Sequence, residues 1–416
     1  MECLPLKSEF FKRVAQVLLG TMGAQLISLG VMLLLVRLYT PAELGLYNVW
    51  FSFATIMAVV VTGRYELALF SGARDSSPQT VVKLIVVVAL TASVLMTACL
   101  VVASYVSRSV PGVVAEYVYA LALLVFGLGI NKLCLSVLAL QQAFRRLGYF
   151  KMAVALSIAI AQVVAGLFEI GVPGLIYGQV AGVFLAVVIA AKWFDRQWLR
   201  ECSEASFDQL KASARHFSNF PKYSLPSDLI NTVSSQLPMI LLASRFGAET
   251  AGWFGLTIKM MGAPITLLAS SVLDVFKEQA ARDYRTTGTC LPIFTRTAAL
   301  LAALSLPPFV AFWFLGEWAF GAVFGAEWTE SGRYAVLMVP LFYLRFVVSP
   351  LSYTIYIAEK QKLDLLWQTV LLILTVSTFY WSDSASVAIK VYSIGYAAMY
   401  VIYFLISRYC AKGVTA

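Results

Sequence analysis

The sequence predicts an all-α polytopic membrane protein of about twelve transmembrane helices, and three observations carry that prediction. The chain of 416 residues is 60% hydrophobic and 13% charged, with a mean hydropathy of +0.81, whereas soluble domains are about one-quarter charged. Its apolar residues fall in runs of span length. Its basic residues fall mostly in alternate connections between those runs.

A helix needs about 20 apolar residues to cross a hydrocarbon core of about 30 Å, because lipid offers no partner to an open backbone group. On that ruler the spans lie at 14–36, 44–63, 81–106, 118–140, 149–170, 173–194, 225–246, 251–273, 290–315, 334–356, 364–381 and 386–407. Lys7, Lys12 and Arg13 precede the first run, which continues without a small-residue cleavage pattern and therefore reads as a first span rather than a removable signal peptide. No Pro/Gly/Ser-rich or acidic low-complexity stretch interrupts the chain.

Orientation follows from the positive-inside rule. Of the 31 Lys and Arg residues, 23 fall on one side, running from Lys7 through Arg145, Arg146, Lys151 and the basic stretch 192–222 to Arg408 and Lys412. Only 4 fall on the other side, at Arg37, Arg108, Arg245 and Arg333. Both termini are therefore expected in the cytoplasm. The asymmetry also accounts for the net charge of +9 without nucleic acid, the usual partner of a basic chain. Six cysteines stand singly with no CxxC pair, so neither a disulfide framework nor a zinc site is expected.

The two halves share landmarks. Arg37–Tyr47 reads RLYTPAELGLY and Arg245–Phe254 reads RFGAETAGWF, at an offset close to 208 residues. FFKR at Phe10–Arg13 sits like FPKY at Phe220–Tyr223, and Glu66 at the end of span two sits like Asp274 at the end of span eight. This spacing predicts a duplicated architecture, with a six-helix lobe over 1–194, a cytoplasmic linker over 195–222 that carries His216, and a second six-helix lobe over 223–416.

Four cations fall inside the spans: Lys132, Lys259, Arg345 and Lys390. A central Lys or Arg costs about 2.5–3.5 kcal/mol on insertion scales, so such residues usually face a wet cavity or the bundle interior. Lys390 is about one turn from the outer end and reads as snorkelling to the interface. Arg345 lies at the centre of span ten between Pro340 and Pro350, and Lys259 five residues before Pro264. Asp228, Glu66, Asp274 and Glu169 all fall near span ends, leaving the bases without a midplane acid. An unneutralised basic interior suits an anionic cargo, because guanidinium and ammonium groups bind phosphate oxygens by charge-assisted hydrogen bonds. Gln25, Ser28, Asn48, Ser234, Ser235 and Gln236 add uncharged polar groups, suited either to helix–helix hydrogen bonding or to lining a sugar cavity. The outer aromatics Trp313, Phe314, Trp318, Phe320, Phe324 and Trp328 read as an interfacial belt.

RLYTPAELGLY after span one, RYELALF at Arg64–Phe70, FPKYSLPSDLINTVSSQLPMILLASRFG at Phe220–Gly247, VFGAEWTESGRYA at Val323–Ala335 and SPLSYTIYIAEKQK at Ser349–Lys362 together resemble the polysaccharide transporters of the multidrug/oligosaccharidyl-lipid/polysaccharide exporter superfamily. The resemblance covers nearly the whole chain. It implies a Wzx-type flippase of the bacterial inner membrane: two six-helix lobes around a central cavity, moving an undecaprenyl-diphosphate-linked oligosaccharide, an O-antigen or exopolysaccharide repeat unit, to the periplasmic leaflet. Arg345, Lys259 and Lys132 then become candidate diphosphate contacts, Arg64, Glu66, Asp274 and Asp228 gate or ion-coupling groups, and Gln25, Asn48 and Gln236 lumen polar groups. The resemblance implies no cofactor beyond H⁺ or Na⁺ coupling. The implied partners are membrane lipids and a polymerase and chain-length regulator of the same pathway. The chain lacks the extra C-terminal pair of spans seen in some relatives, which argues against the peptidoglycan-precursor flippase.

Two other functions are set against this one. A cation-coupled small-molecule or drug exporter of the same superfamily would carry a membrane-embedded carboxylate. A membrane glycan polymerase or ligase would need acid, base or arginine groups on a large outer segment; the largest, about 316–333, has no histidine and only Arg333 as a base.

Overall fold

The computed structural model describes residues 4–70, 77–106, 111–194 and 196–413, with side chains from Gln16 onward except at 196, 199, 264, 266–271 and 274. Twelve long helices dominate these residues: α1 (Leu4–Leu38), α2 (Pro41–Val60), α3 (Pro78–Val106), α4 (Val118–Leu140), α5 (Phe144–Leu167), α6 (Val172–Ala191), α7 (Leu225–Phe246), α8 (Ala248–Thr287), α9 (Leu291–Phe324), α10 (Thr329–Leu351), α11 (Gln361–Trp381) and α12 (Ala385–Ala411). No strand occurs among the described residues. Ten helices among the described residues are long and apolar enough to cross a membrane, which makes the chain a multi-pass α-helical membrane protein. The other two long helices are α7 and α8. The first carries Asp228, Arg245 and the polar run Ser234–Gln236, and the second carries Glu249, Lys259 and a charged C-terminal third.

The helices form two compact units, one of Met1–Tyr39 with Leu46–Gln236 and the other of Thr40–Gly45 with Leu237–Ala416. The boundary falls inside α7, and the stretch 195–222 belongs to the first unit.

In the first unit α1 packs along α5, and α5 along α6. Glycine sets the closest approach: a Cβ on Gly20 would lie 2.2 Å from the Cα of Gly148. In lipid, where apolar burial does not drive helices together, such small-residue crossings let dispersion and backbone contact do so. Gln162 is buried between α5 and α6, where its amide donates to the Leu175 carbonyl at 3.0 Å and its own carbonyl accepts from Tyr39 Oη at 2.8 Å. Tyr47 Oη donates to Gln179 Oε1 at 2.9 Å.

The stretch expected as a linker folds into two short helices, Arg196–Glu204 and Phe207–His216, that dock on α3. Lys83 Nζ donates to the carbonyls of Ser203 and Ala205 at 2.6 and 2.7 Å, satisfying acceptors at the end of the first short helix. Ser206 and Gln209 form a reciprocal capping box that starts the second. Leu210 and Phe217 then join Tyr65, Ile85 and Val137 in one apolar core.

In the second unit α10 packs against α8, α9 and α12. Thr257 Oγ1 on α8 donates to the Ser331 carbonyl at 2.8 Å, and Arg245 at the end of α7 donates to the carbonyls of Phe379 and Tyr380 at the end of α11. Thr40 and Glu43 cap α2 reciprocally, with Thr40 N donating to Glu43 Oε2 at 2.8 Å and Glu43 N to Thr40 Oγ1 at 3.3 Å. Pro307, Pro308, Pro340 and Pro350 lie inside α9 and α10, where neighbouring helices can satisfy the carbonyls they release.

Candidate functional site

After α2 the chain turns through Gly63 and Arg64, both left-handed with φ of 57° and 62°, into a short 3-10 helix, Tyr65–Phe70. Glycine takes that conformation freely and arginine does not. The turn directs Glu66 inward, where it is 3% exposed. Lys132 Nζ, from α4, sits 2.6 Å from Glu66 Oε1. Arg64 Nη1 lies 3.3 Å from the same oxygen, and Arg64 Nη2 pairs with Asp228 at the start of α7. Burial pushes the Glu66 carboxyl up, but the Lys132 ammonium and its hydrogen bond outweigh it and hold the carboxyl below its usual range.

This arrangement corrects one expectation. Linear spacing leaves the bases inside the spans without an acid to neutralise them, yet Lys132 is ion-paired to Glu66. Counting residues put Glu66 at a span end; the 3-10 turn folds that end back onto α4, which linear spacing does not encode. The structure brings Arg64, Glu66, Asp228 and Lys132 together. The side chain of Asp274, paired with Glu66 by sequence offset, lies outside the described residues.

A second polar region of the first unit lies along α1, α4 and α5, where Gln25 and Ser28 line a cavity with Thr21, Asn131 and Lys151. Its place near a span end groups Lys151 with the cytoplasmic loops. It lies within α5, and its Nζ donates to Thr21 Oγ1 on α1 at 2.9 Å. Asn48, on α2, is half-buried, and its carbonyl accepts from Ser52 Oγ at 2.8 Å. Gln236, on α7, is also half-buried.

In the second unit Arg345 lies six residues before the C-terminal end of α10, with its side chain exposed. It is close enough to Tyr392, Tyr396 and Tyr400 on α12 to act on them electrostatically. Those tyrosines, with Tyr403, repeat at three- and four-residue intervals and so share one helix face. Lys259 is exposed on α8, next to Met260 and Met261, which line an apolar crevice of about 220 Å³ with residues of α9 and α10. Lys390 is exposed near the start of α12.

Sequence reasoning missed Asp364. It is 7% exposed at the start of α11 and accepts from Tyr356 Oη and Gln368 Nε2, each at 2.9 Å, and from Tyr403 Oη. Trp367 stacks on Tyr403 with ring centroids 4.0 Å apart. The available signal was the tyrosine periodicity of α12, which marks a polar face needing an acceptor. Asp364 itself follows Lys360 and Lys362 and reads as an ordinary polar span boundary.

The geometry can be set beside known proteins. The sequence signature described as polysaccharide biosynthesis protein matches residues 34–333. The teichuronic acid biosynthesis protein TuaB of Bacillus subtilis (strain 168) is 24% identical over 196 residues, a stretch that spans 47% of this chain and 40% of that relative. Among solved structures, the lipid II flippase MurJ in an inward closed conformation shares the fold with a TM-score of 0.73 at 12% identity, over 93% of this chain and 86% of that one. A multidrug resistance MATE family transporter of the MOP superfamily, in an inward-facing conformation, gives 0.62 at 14% identity, over 96% and 93%. At such identities the likeness to the solved structures is one of fold. The signature, in contrast, covers well over half of the sequence, and on that ground the chain belongs to the polysaccharide biosynthesis protein family.

Proposed function

We propose that this protein is a flippase, a transporter rather than an enzyme, that carries an undecaprenyl-diphosphate-linked oligosaccharide from the cytoplasmic to the periplasmic leaflet of the bacterial inner membrane by alternating access. Arg345 carries the proposal. An accessible guanidinium on an apolar membrane helix is costly in lipid, and no carboxylate among the described residues lies within ion-pair distance of it. A diphosphate passing through the site would supply the missing counter-charge. Family membership and the fold shared with MurJ support the same reading.

Within it, Arg345 and Lys259 contact the diphosphate, and Asn48 and Gln236 face sugar hydroxyls. Lys132, already paired with Glu66, joins Arg64 and Asp228 in a gate whose ion pairs open and close with transport, with Asp274 in the corresponding place of the second half. The ten apolar helices with α7 and α8 make twelve spans, and both termini are cytoplasmic. H⁺ or Na⁺ drives export, and a polymerase and chain-length regulator receive the O-antigen or exopolysaccharide unit.

Arg345→Ala should lower surface glycan by at least about tenfold, the scale of a lost charge-assisted hydrogen bond, while Arg345→Lys keeps part of it. Normal glycan with well-expressed Arg345→Ala removes Arg345 from the mechanism. Deleting the protein should accumulate lipid-linked oligosaccharide on the cytoplasmic face. Ordinary levels with altered polymer length would instead favour a polymerase.

One observation favours a cation-coupled small-molecule exporter: Glu66 and Asp364 are both buried carboxylates, the group such an exporter was expected to carry. Lys132 and Arg64 already neutralise Glu66, which leaves Asp364 as the distinguishing residue. Drug efflux lost in Asp364→Asn, with surface glycan unchanged, would establish that alternative.

A further inference from the structure

The cavity of the first unit that Lys151 lines has a chemistry of its own. Its volume is about 360 Å³, at the lower end of the range of about 300–1,000 Å³ for small-ligand sites. Thr21, Gln25 and Ser28 reach it from one face of α1, at the spacing that aligns side chains along a helix. Asn131 reaches it from α4 and Lys151 from α5, while Leu135 contributes apolar wall.

Lys151 is half-buried about two turns into α5. An ammonium has three donors. One goes to Thr21 Oγ1 at 2.9 Å, and no acidic side chain among the described residues pairs with the lysine. A lysine held inside an apolar helix, tethered to a hydroxyl and facing a cavity where amides and hydroxyls stand among apolar side chains, is placed to receive an anion.

The charge count narrows the anion. Among the described residues that line the cavity Lys151 alone is charged, and Lys132, next to Asn131 in sequence, is paired with Glu66. The cavity therefore presents one positive charge, and a diphosphate carries more than one negative. Around that charge stand two amides and two hydroxyls, which both donate and accept. One cation ringed by neutral bidirectional groups and bounded by an apolar wall suits a ring that bears one carboxylate, several hydroxyls and a C–H face.

We propose that the cavity bounded by α1, α4 and α5 binds an acidic sugar of the transported glycan, a hexuronate, with Lys151 meeting the carboxylate and Gln25, Ser28 and Asn131 the hydroxyls. The inference rests on the flippase reading and assigns the cargo a carboxylated sugar. Lys151 is thus a specificity residue, separate from the groups that meet the diphosphate.

The test uses the full-length protein in proteoliposomes and two undecaprenyl-diphosphate-linked oligosaccharides, one carrying a single hexuronate and the other its carboxyl-reduced counterpart. The readout is the ratio of their flipping rates. The wild-type protein should favour the hexuronate lipid by about tenfold, the scale of a hydrogen bond to a charged group. Lys151→Met should bring the ratio to about 1, and Lys151→Arg should keep most of it. A wild-type ratio near 1, or a ratio unchanged in Lys151→Met, overturns the site while transport of both lipids leaves the flippase reading standing. If neither lipid moves with the wild-type protein, the flippase reading falls and this inference with it. Should Lys151→Met fail to fold, Asn131→Ala retains the bond between Lys151 and Thr21. Its ratio should drop by about threefold to fivefold, and no drop overturns the proposal.

Discussion

The two units treat charge inside the helical bundle in opposite ways. In the first, Lys132 is matched to Glu66 at 2.6 Å, and Arg64 ties the same carboxylate to Asp228 at the start of α7. In the second, Arg345 stands exposed beside a face of tyrosines, and the buried acid, Asp364, is held by neutral donors at the start of α11. A matched pair at low dielectric gains Coulomb energy that offsets its desolvation. An exposed cation with no carboxylate beside it contributes little to stability and remains available to a ligand. The proposed function assigns the first arrangement to folding or gating and the second to binding, and four perturbations would break or sharpen that division.

The largest effect on stability is expected from Lys132→Met. It strands Glu66 with Arg64 alone and should cost about 2–3 kcal/mol, below the roughly 3–5 of a fully stranded buried charge because Arg64 still reaches the carboxylate. Thermal unfolding in detergent measures this, and combining Lys132→Met with Glu66→Gln should restore most of the loss. A double variant no better than the single would show that Glu66 is not the charge left stranded.

Acid should act on the same pair. The folded carboxyl of Glu66 lies below its ordinary value of 4.5, so its contribution is full above that value and is lost as the pH falls through the lower folded one. Glu66→Gln should flatten the part of the stability profile below pH 4.5, and an unchanged profile would assign the acid sensitivity to another group.

Asp364→Asn comes next, at about 1–3 kcal/mol. Asparagine keeps one acceptor oxygen but turns an amide donor toward a tyrosine hydroxyl. Unfolding midpoints that do not move would mean that the two tyrosines rearrange around the amide.

The smallest expected effect on stability comes from Arg345→Ala, within about 0.5 kcal/mol, as for surface substitutions that break no buried pair. Transport is its sensitive readout. Should Arg345→Ala destabilise the protein as much as Lys132→Met, the contrast between the two units would fail.

The sequence announced the helices well. The predicted spans 118–140 and 225–246 coincide with α4 and α7 to the residue; for α4 the reason is a run of Leu, Val and Ala ended by a polar turn, while α7 carries Asp228 and Ser234–Gln236 and is not among the ten described helices apolar enough to cross a membrane. It announced the site less evenly. Arg345 was legible as a base at mid-span between prolines, a local pattern. The partner of Lys132 was not, because that pairing depends on two left-handed residues, one of them Arg64, turning a 3-10 helix back on α4.

What the sequence by itself determined is that this chain lives in a membrane as a set of helices with few charges inside them. Hydropathy and helix length are local sums, and the bilayer reads them almost independently of neighbours. Only the tertiary structure decided which of those charges is neutralised. Lys151 counts as a loop residue by distance from a span end and as a cavity residue once α1 packs at Gly20 and brings Thr21 to it. The same distinction separates Lys132 from Arg345: both are bases within apolar helices, and only the packing of α4 against the turn at Glu66 gives one of them a carboxylate.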